Sequence, residues 1–346
     1  MPNRPFKISN FISRYIQMGL IGVYLILPSI ALHSSPRLRG VAIEPTNYCN
    51  LKCGICYSQN PKLSAPRPKG YMDLDVYKII IDELSELRFP PSLGLNFGGE
   101  SLCHPVFMEM VRYAVKKGCF DINFNTNGML LSDEINDLII RNGIEVSISL
   151  DGLKSYAESN RKGSDYTQIE TNILNLIKLR GQSISPSIRI NLVEYKQSIE
   201  EIRSFIEFWT KVVDAVTVTP FMREDFQFGN RSFFDSSSRS LRVCSFPFSY
   251  MGILWNGDAV LCCHDIAGRA TIGNVKENGI MGLWTSKTYR ILRNYALKGS
   301  FPASTPCSKC DLWNISFRKR TERYQEDIYV DFIGQCKKYY RKRVVT

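Results

Sequence analysis

Between residues 41 and 220 the chain alternates short apolar runs with longer amphipathic ones, and this alternation restricts the fold more than any other feature. Strands are predicted at 41–44, 93–97, 120–125, 144–150, 187–193 and 215–219. Helices are predicted at 73–87, 106–117, 133–141, 169–179 and 199–212. In the first helix the apolar residues Val76, Ile79, Ile80, Leu84 and Leu87 recur at helical spacing. Strands separated by helices of this length imply a parallel sheet with crossovers. A closed barrel needs eight such units, so six predict a curved, partial barrel.

The rest of the chain reads differently. Of 346 residues 44% are hydrophobic and 22% charged, which suits a globular protein of about two domains rather than a disordered chain. Residues 15–32 form a run without charge, at the lower limit for a membrane span. Gln17, Gly19, Gly22 and Pro28 interrupt it, and a span would place the basic residues Arg4, Lys7 and Arg14 on the wrong side. The expectation is an N-terminal helix over 1–38 that packs on the domain or lies on a membrane surface. Residues 221–243 are polar and read as a linker. The net charge of +11 is concentrated late, in Arg318, Lys319, Arg320, Lys337, Lys338, Arg341, Lys342 and Arg343, so 314–346 reads as a basic tail. A solvated basic face is the plain reading, and an anionic substrate or membrane surface the sharper one. No nucleic-acid motif is present.

Eleven cysteines invite either disulfides or metal ligation. Cys49, Cys53 and Cys56 are spaced C-x3-C-x2-C in the loop after the first strand, where barrel-like folds carry their chemistry. Three cysteines so close together suit a cluster better than a disulfide network, which places the chain in a reducing, cytoplasmic compartment. Thiolates fill three corners of a four-iron cubane and leave one iron open. Zinc would want a fourth ligand nearby.

Here the sequence resembles the radical S-adenosylmethionine superfamily, whose signature is this spacing followed by an aromatic residue, Tyr57. Further segments stand where the family has them. Gly98-Gly99-Glu100 follows the second strand, Asn125-Thr126-Asn127-Gly128 the third, and Ser149-Leu150-Asp151-Gly152 the fourth. The resemblance implies that Tyr57, Gly98, Gly99, Glu100, Asn125, Asn127, Ser149 and Asp151 bind S-adenosylmethionine, with Glu100 and its glycines meeting the amino group. It implies a 5′-deoxyadenosyl radical that abstracts hydrogen from the substrate, and a one-electron donor such as flavodoxin or ferredoxin.

A second set, Cys244, Cys262, Cys307 and Cys310, has the spacing C-x17-C-x44-C-x2-C, with Gly257 five residues before Cys262 and short strands predicted at 253–255 and 259–261. This resembles the SPASM/twitch extension of the family and implies an auxiliary four-iron cluster over 244–313, behind a core at 39–220. Four cysteines could also hold zinc or be buried thiols. Cys263 is set aside because neighbours on a strand face opposite ways. Cys103, Cys119 and Cys336 read as ordinary thiols, and His33, His104 and His264 as three separate residues, His104 in a packing or capping role. The expected fold is α/β, a partial (β/α)6 barrel with a small C-terminal α+β iron–sulfur domain.

The spacing of the second set resembles that of cyclitol-oxidising twitch members, which implies oxidation of an alcohol on a sugar-like or cyclitol-like small molecule, with the auxiliary cluster accepting an electron. The alternative is a maturase of a peptide or protein side chain. About 40 residues precede the first strand, too few for a leader-recognition domain with a core of its own. A non-catalytic electron carrier is a third reading, one in which no 5′-deoxyadenosine would form. Glu194, Arg189 and Tyr195 are candidates for a proton acceptor, none of them assigned, and the catalytic residues are unknown.

Overall fold

The computed structural model describes residues 36–61, 67–119, 121–222, 244–303, 305–311, 320–325, 327–333 and 336–341. The expected helix in 15–32, most of the expected linker and the cations Arg318, Lys319, Lys342 and Arg343 lie outside these residues.

Six strands, β1 (Gly40–Ile43), β2 (Ser92–Leu95), β3 (Ile122–Thr126), β4 (Glu145–Ser149), β5 (Ile188–Glu194) and β6 (Ala215–Pro220), lie parallel in sequence order. They are joined by α1 (Leu74–Ser85), α2 (Phe107–Lys116), α3 (Asp133–Asn142), the pair α4 (Lys154–Asn160) and α5 (Tyr166–Arg180), and α6 (Ile199–Trp209). Local chemistry starts each crossover. The Asp73 carboxylate accepts the first amides of α1. Ser132 caps α3, which stops at Gly143 in the left-handed region (φ 63°). Ser198 and Glu201 form a reciprocal capping box at α6. The helices bury Tyr77, Ile80, Met110, Ile139, Ile173, Phe205 and Trp209 against Ile43, Leu95, Phe124, Ile148 and Ile190 of the strands. Each such side chain contributes about 2 kcal/mol.

The opposite strand face is polar. Register places Asn125 beside Ser147, Ser149 beside Asn191, and Asn191 beside Thr217. The six parallel units match the periodicity. The short helix α4 does not announce itself, because its residues, KSYAESN, show no apolar stripe.

Two parts of the chain join this sheet that were expected outside it. β7 (Tyr250–Ile253) lies parallel to β1, and β8 (Asp258–Val260) and β9 (Thr271–Asn274) extend the sheet antiparallel. The C-terminal cysteine region is therefore continuous with the barrel sheet. It is completed by α7 (Val275–Trp284) and α8 (Lys287–Lys298). At the other end, 314–346 is not simply a tail. β10 (Arg320–Arg323), β11 (Ile328–Ile333) and β12 (Cys336–Arg341) form an antiparallel meander, with β12 against β6. The expectation followed the charge, but Ile328, Val330 and Tyr339 are buried while Lys337 and Lys338 are only half-buried. Strand order across the twelve-stranded sheet is β10-β11-β12-β6-β5-β4-β3-β2-β1-β7-β8-β9. Among the described residues no helix is long and apolar enough to cross a membrane.

Candidate iron–sulfur and cofactor site

The loop after β1 is held from several sides. Thr46 donates its hydroxyl to Gly70 O (2.7 Å). The Asn47 side chain bonds Pro68 O (2.8 Å) and Gly70 N (2.9 Å). Lys69 Nζ donates to Asn47 O (2.7 Å), Gln59 Oε1 (3.0 Å) and Ser58 O (3.2 Å). From the far side, the end of α4 and the residues after it supply acceptors: Asn160 O for Gly54 N–H (3.1 Å) and Lys162 O for Lys52 N–H (2.9 Å). Within this frame Cys53 is buried and Cys49 and Cys56 half-buried. Burial is the main influence on two of the thiols, raising Cys49 to about 12 and Cys53 to about 11. Thiols held this far from ionisation need a strong positive partner to act as thiolates, and the irons of a cluster supply it. The donor set therefore fits a three-cysteine iron–sulfur cluster.

The residues expected to surround S-adenosylmethionine gather at the same end of the sheet. A Cβ on Gly99 would stand 2.4 Å from Thr46 O and from Tyr48 O, and one on Gly98 2.6 Å from Glu44 Oε1, so both positions demand glycine through close approach. Glu100 is 3% exposed. Its N–H donates to Tyr48 O (2.9 Å), and its carboxylate accepts the N–H of Asn127 (2.7 Å) and of Leu102 (3.4 Å). Burial pushes this carboxyl above its ordinary value, against those hydrogen bonds and one from Thr126. Asn127 Nδ2 reaches Asn50 Oδ1 (2.7 Å), tying β3 to the cysteine loop. Asp151 is buried and accepts from Val193 N–H and Asn160 Nδ2, both at 3.0 Å. Asn125 is exposed on the polar strand face, and Ser149 half-exposed. Tyr57 lies 6.4 Å from the Phe221 ring, which is 4.7 Å from that of Tyr195.

Arg161 escaped the sequence reading. Its guanidinium pairs with Asp151 at 3.0 Å, and its charge acts on Cys53 and Cys56. Nothing in its neighbourhood of sequence marks it, since α4 and the cysteine loop meet only in three dimensions. Glu194 is buried, and Arg189 pairs with Glu145 at 2.9 Å. His104 bridges Met72 O at Nε2 (3.0 Å) and accepts Val106 N–H at Nδ1 (3.3 Å), the capping role expected of it.

Cys244, Cys262, Cys307 and Cys310 line a single cavity, closed by Phe246 and Phe301. Burial is the first cause raising Cys244 and Cys307, the latter to about 12, while Cys262 is raised first by its hydrogen bond to Cys263 and then by burial. Four thiols on one apolar cavity fit a fully ligated cluster. Both Cys262 and Cys263 lie in the turn after β8, so strand alternation does not separate them. Cys263 is nevertheless outside the cavity lining, its free thiol hydrogen-bonded to Cys262, His264 and Tyr250.

A three-thiol loop at the mouth of a parallel partial barrel and a four-thiol cavity beside it define an iron–sulfur protein with two cluster sites. Residues 43–209 match the Radical SAM superfamily, and residues 244–311 match SPASM, an iron–sulfur cluster-binding domain. The protein belongs to the radical SAM superfamily, with a SPASM domain after its core, and its cofactors are S-adenosylmethionine, the four-iron cluster that binds it and an auxiliary cluster. It is 27% identical over 316 residues to the tungsten-containing aldehyde ferredoxin oxidoreductase cofactor-modifying protein of Pyrococcus furiosus, covering 78% of this chain and 87% of that one. It is 28% identical over 164 residues to the mycofactocin maturase MftC of Mycobacterium tuberculosis, covering 47% of this chain and 39% of that one. Its fold is similar to that of BtrN in complex with AdoMet and 2-DOIA, with a TM-score of 0.54, 15% identity, and coverage of 80% of this chain and 93% of that one.

Proposed function

We propose that the protein is a radical SAM maturase, which modifies a peptide or protein side chain, rather than a dehydrogenase of a free sugar-like or cyclitol-like alcohol. The observation that carries this is the likeness to the mycofactocin maturase MftC, over 164 residues. The longer likeness, over 316 residues, is to a protein that modifies a cofactor, and it supports a modifying role without naming a peptide. The likeness to BtrN is one of fold at 15% identity and says nothing about substrate.

In this reading the working units are a core over 39–220 and a cluster domain over 244–313. Cys49, Cys53 and Cys56 hold the cluster that binds S-adenosylmethionine, and Cys244, Cys262, Cys307 and Cys310 hold the auxiliary one. When bound, the first cluster and its cofactor supply a 5′-deoxyadenosyl radical that takes a hydrogen atom from the substrate. The chain orients and shields. Gly98 and Gly99 let their turn close against Glu44 and the carbonyls of Thr46 and Tyr48, Glu100 and Asn127 lock that turn to the cysteine loop, and Asp151 fixes Arg161 beside it. Asn125 and Ser149 offer hydrogen bonds from the strand face. Tyr57, Phe221 and Tyr195 form an aromatic wall that keeps water from the reacting atoms. A cellular one-electron carrier of the flavodoxin or ferredoxin kind supplies the electron.

The test is anaerobic reconstitution followed by S-adenosylmethionine and a reductant. Peptides and small proteins encoded beside the gene are expected to stimulate 5′-deoxyadenosine formation and to change mass. Stimulation by a panel of cyclitols and sugars instead would reverse the assignment.

A further inference from the structure

Glu44 follows β1 directly and is wholly buried. Its carboxylate has three partners from three separate segments. Oε1 accepts Arg67 Nη2 (2.6 Å) and the N–H of Gly98 (3.0 Å), and Oε2 accepts the N–H of Trp255 (3.1 Å). Arg67, whose side chain is 15% exposed, also donates Nε to Ile266 O (2.5 Å). Trp255 closes the knot. Its indole N–H donates to Pro68 O (3.2 Å), and its ring covers Gly70 so closely that a Cβ there would lie 2.4 Å from it. At Gly98 the same point is crowded by Ser58 Oγ (3.0 Å) and Ile266 Cγ2 (3.1 Å).

These segments come from both cysteine sites. Ser58 is two residues past Cys56, and Ile266 is next to Asp265, which lines the four-thiol cavity. Trp255 forms the turn between β7 and β8, which leads into Cys262. Taking two charges out of water is costly, and an apolar pair of equal volume would hold mere contact as well. What the ion pair adds is direction: a fork and a carboxylate accept several partners only in one geometry.

We propose that Glu44 and Arg67 are positioning residues that hold the auxiliary-cluster cavity at a fixed distance and orientation from the three-cysteine loop. The proposal rests on both cysteine sets holding clusters. The test uses reconstituted full-length holoenzyme, reduced with dithionite, with iron analysis and low-temperature electron paramagnetic resonance. The wild type is expected to hold about eight irons and to show a defined dipolar interaction between the two reduced clusters. Arg67→Met is expected to keep both clusters while that interaction weakens or spreads. Arg67→Lys, which retains one charge contact, is expected to fall between the two. A purely structural role would lower stability and leave the splitting of the folded fraction where it was. Should Glu44→Gln take up no iron, the Arg67 variants decide alone. An Arg67→Met holoenzyme with both clusters and the wild-type splitting overturns the proposal. About four irons in the wild type would instead overturn the two-cluster reading beneath it.

Discussion

At the scale of single residues, the two cysteine sets differ in what a deletion should do. Cys53 is the buried member of the three-thiol loop. Cys53→Ala is expected to lower iron from about eight to about four per chain and to abolish 5′-deoxyadenosine formation, since a cubane with two protein ligands is not held. Iron analysis and chromatography check both. His104 gives a pH dependence of stability. Burial lowers its pKa below the ordinary 6.5, and its Nδ1 lone pair is used by Val106. The unfolded chain therefore binds this proton more readily than the folded one, so the contribution is full above about 6.5 and is lost as pH falls toward the folded value. Urea midpoints should drop between pH 7 and pH 5.5, and His104→Gln should flatten that drop. The cysteines were legible because ligands of one cluster recur at short spacing. Arg161 and Glu44 were not, because their partners stand apart in sequence. Glu44 meets Arg67 across 23 residues and Trp255 across 211.

At the scale of elements, crossover helices and parallel strands were readable from periodicity, since each buries one face against the same core. The turns at strand ends were readable as motifs, but not for what they do. Glu100 and Asp151 spend their oxygens on neighbouring backbone and side chains, making the turns rigid. Gly99 shows how little slack remains. Gly99→Ala must move the carbonyls of Thr46 and Tyr48, which begin the cysteine loop. The variant is expected to lose most of its cluster at the three-cysteine site while keeping the auxiliary one, so iron should fall to about four per chain with the C-terminal cluster's signal retained. Wild-type iron content and S-adenosylmethionine cleavage in this variant would contradict the tight fit.

At the scale of the whole molecule, charge misled and pairing decided. The meander β10–β12 shields β6, with Lys337 opposite Val218 and Tyr339 opposite Val216. A chain ending at residue 319 would uncover that edge and the apolar surface under Ile328, Val330 and Tyr339. It is expected to form soluble aggregates visible by light scattering during size-exclusion chromatography, where the full chain runs as a single species. Such pairings leave no local trace: strands 210 residues apart in register, such as Gly40 and Tyr250, share no period that a window could detect.

That last pairing bears on how the protein comes into being. As the chain leaves the ribosome, β1 emerges early, yet one of its two flanking strands is still to be translated some two hundred residues later. Until then the first strand keeps a raw flank, and the loop that follows it lacks the turn that braces it from that side. Nascent chains therefore depend on being shielded at that flank until β7 emerges, and cluster loading at the three-cysteine loop belongs after that point rather than before it.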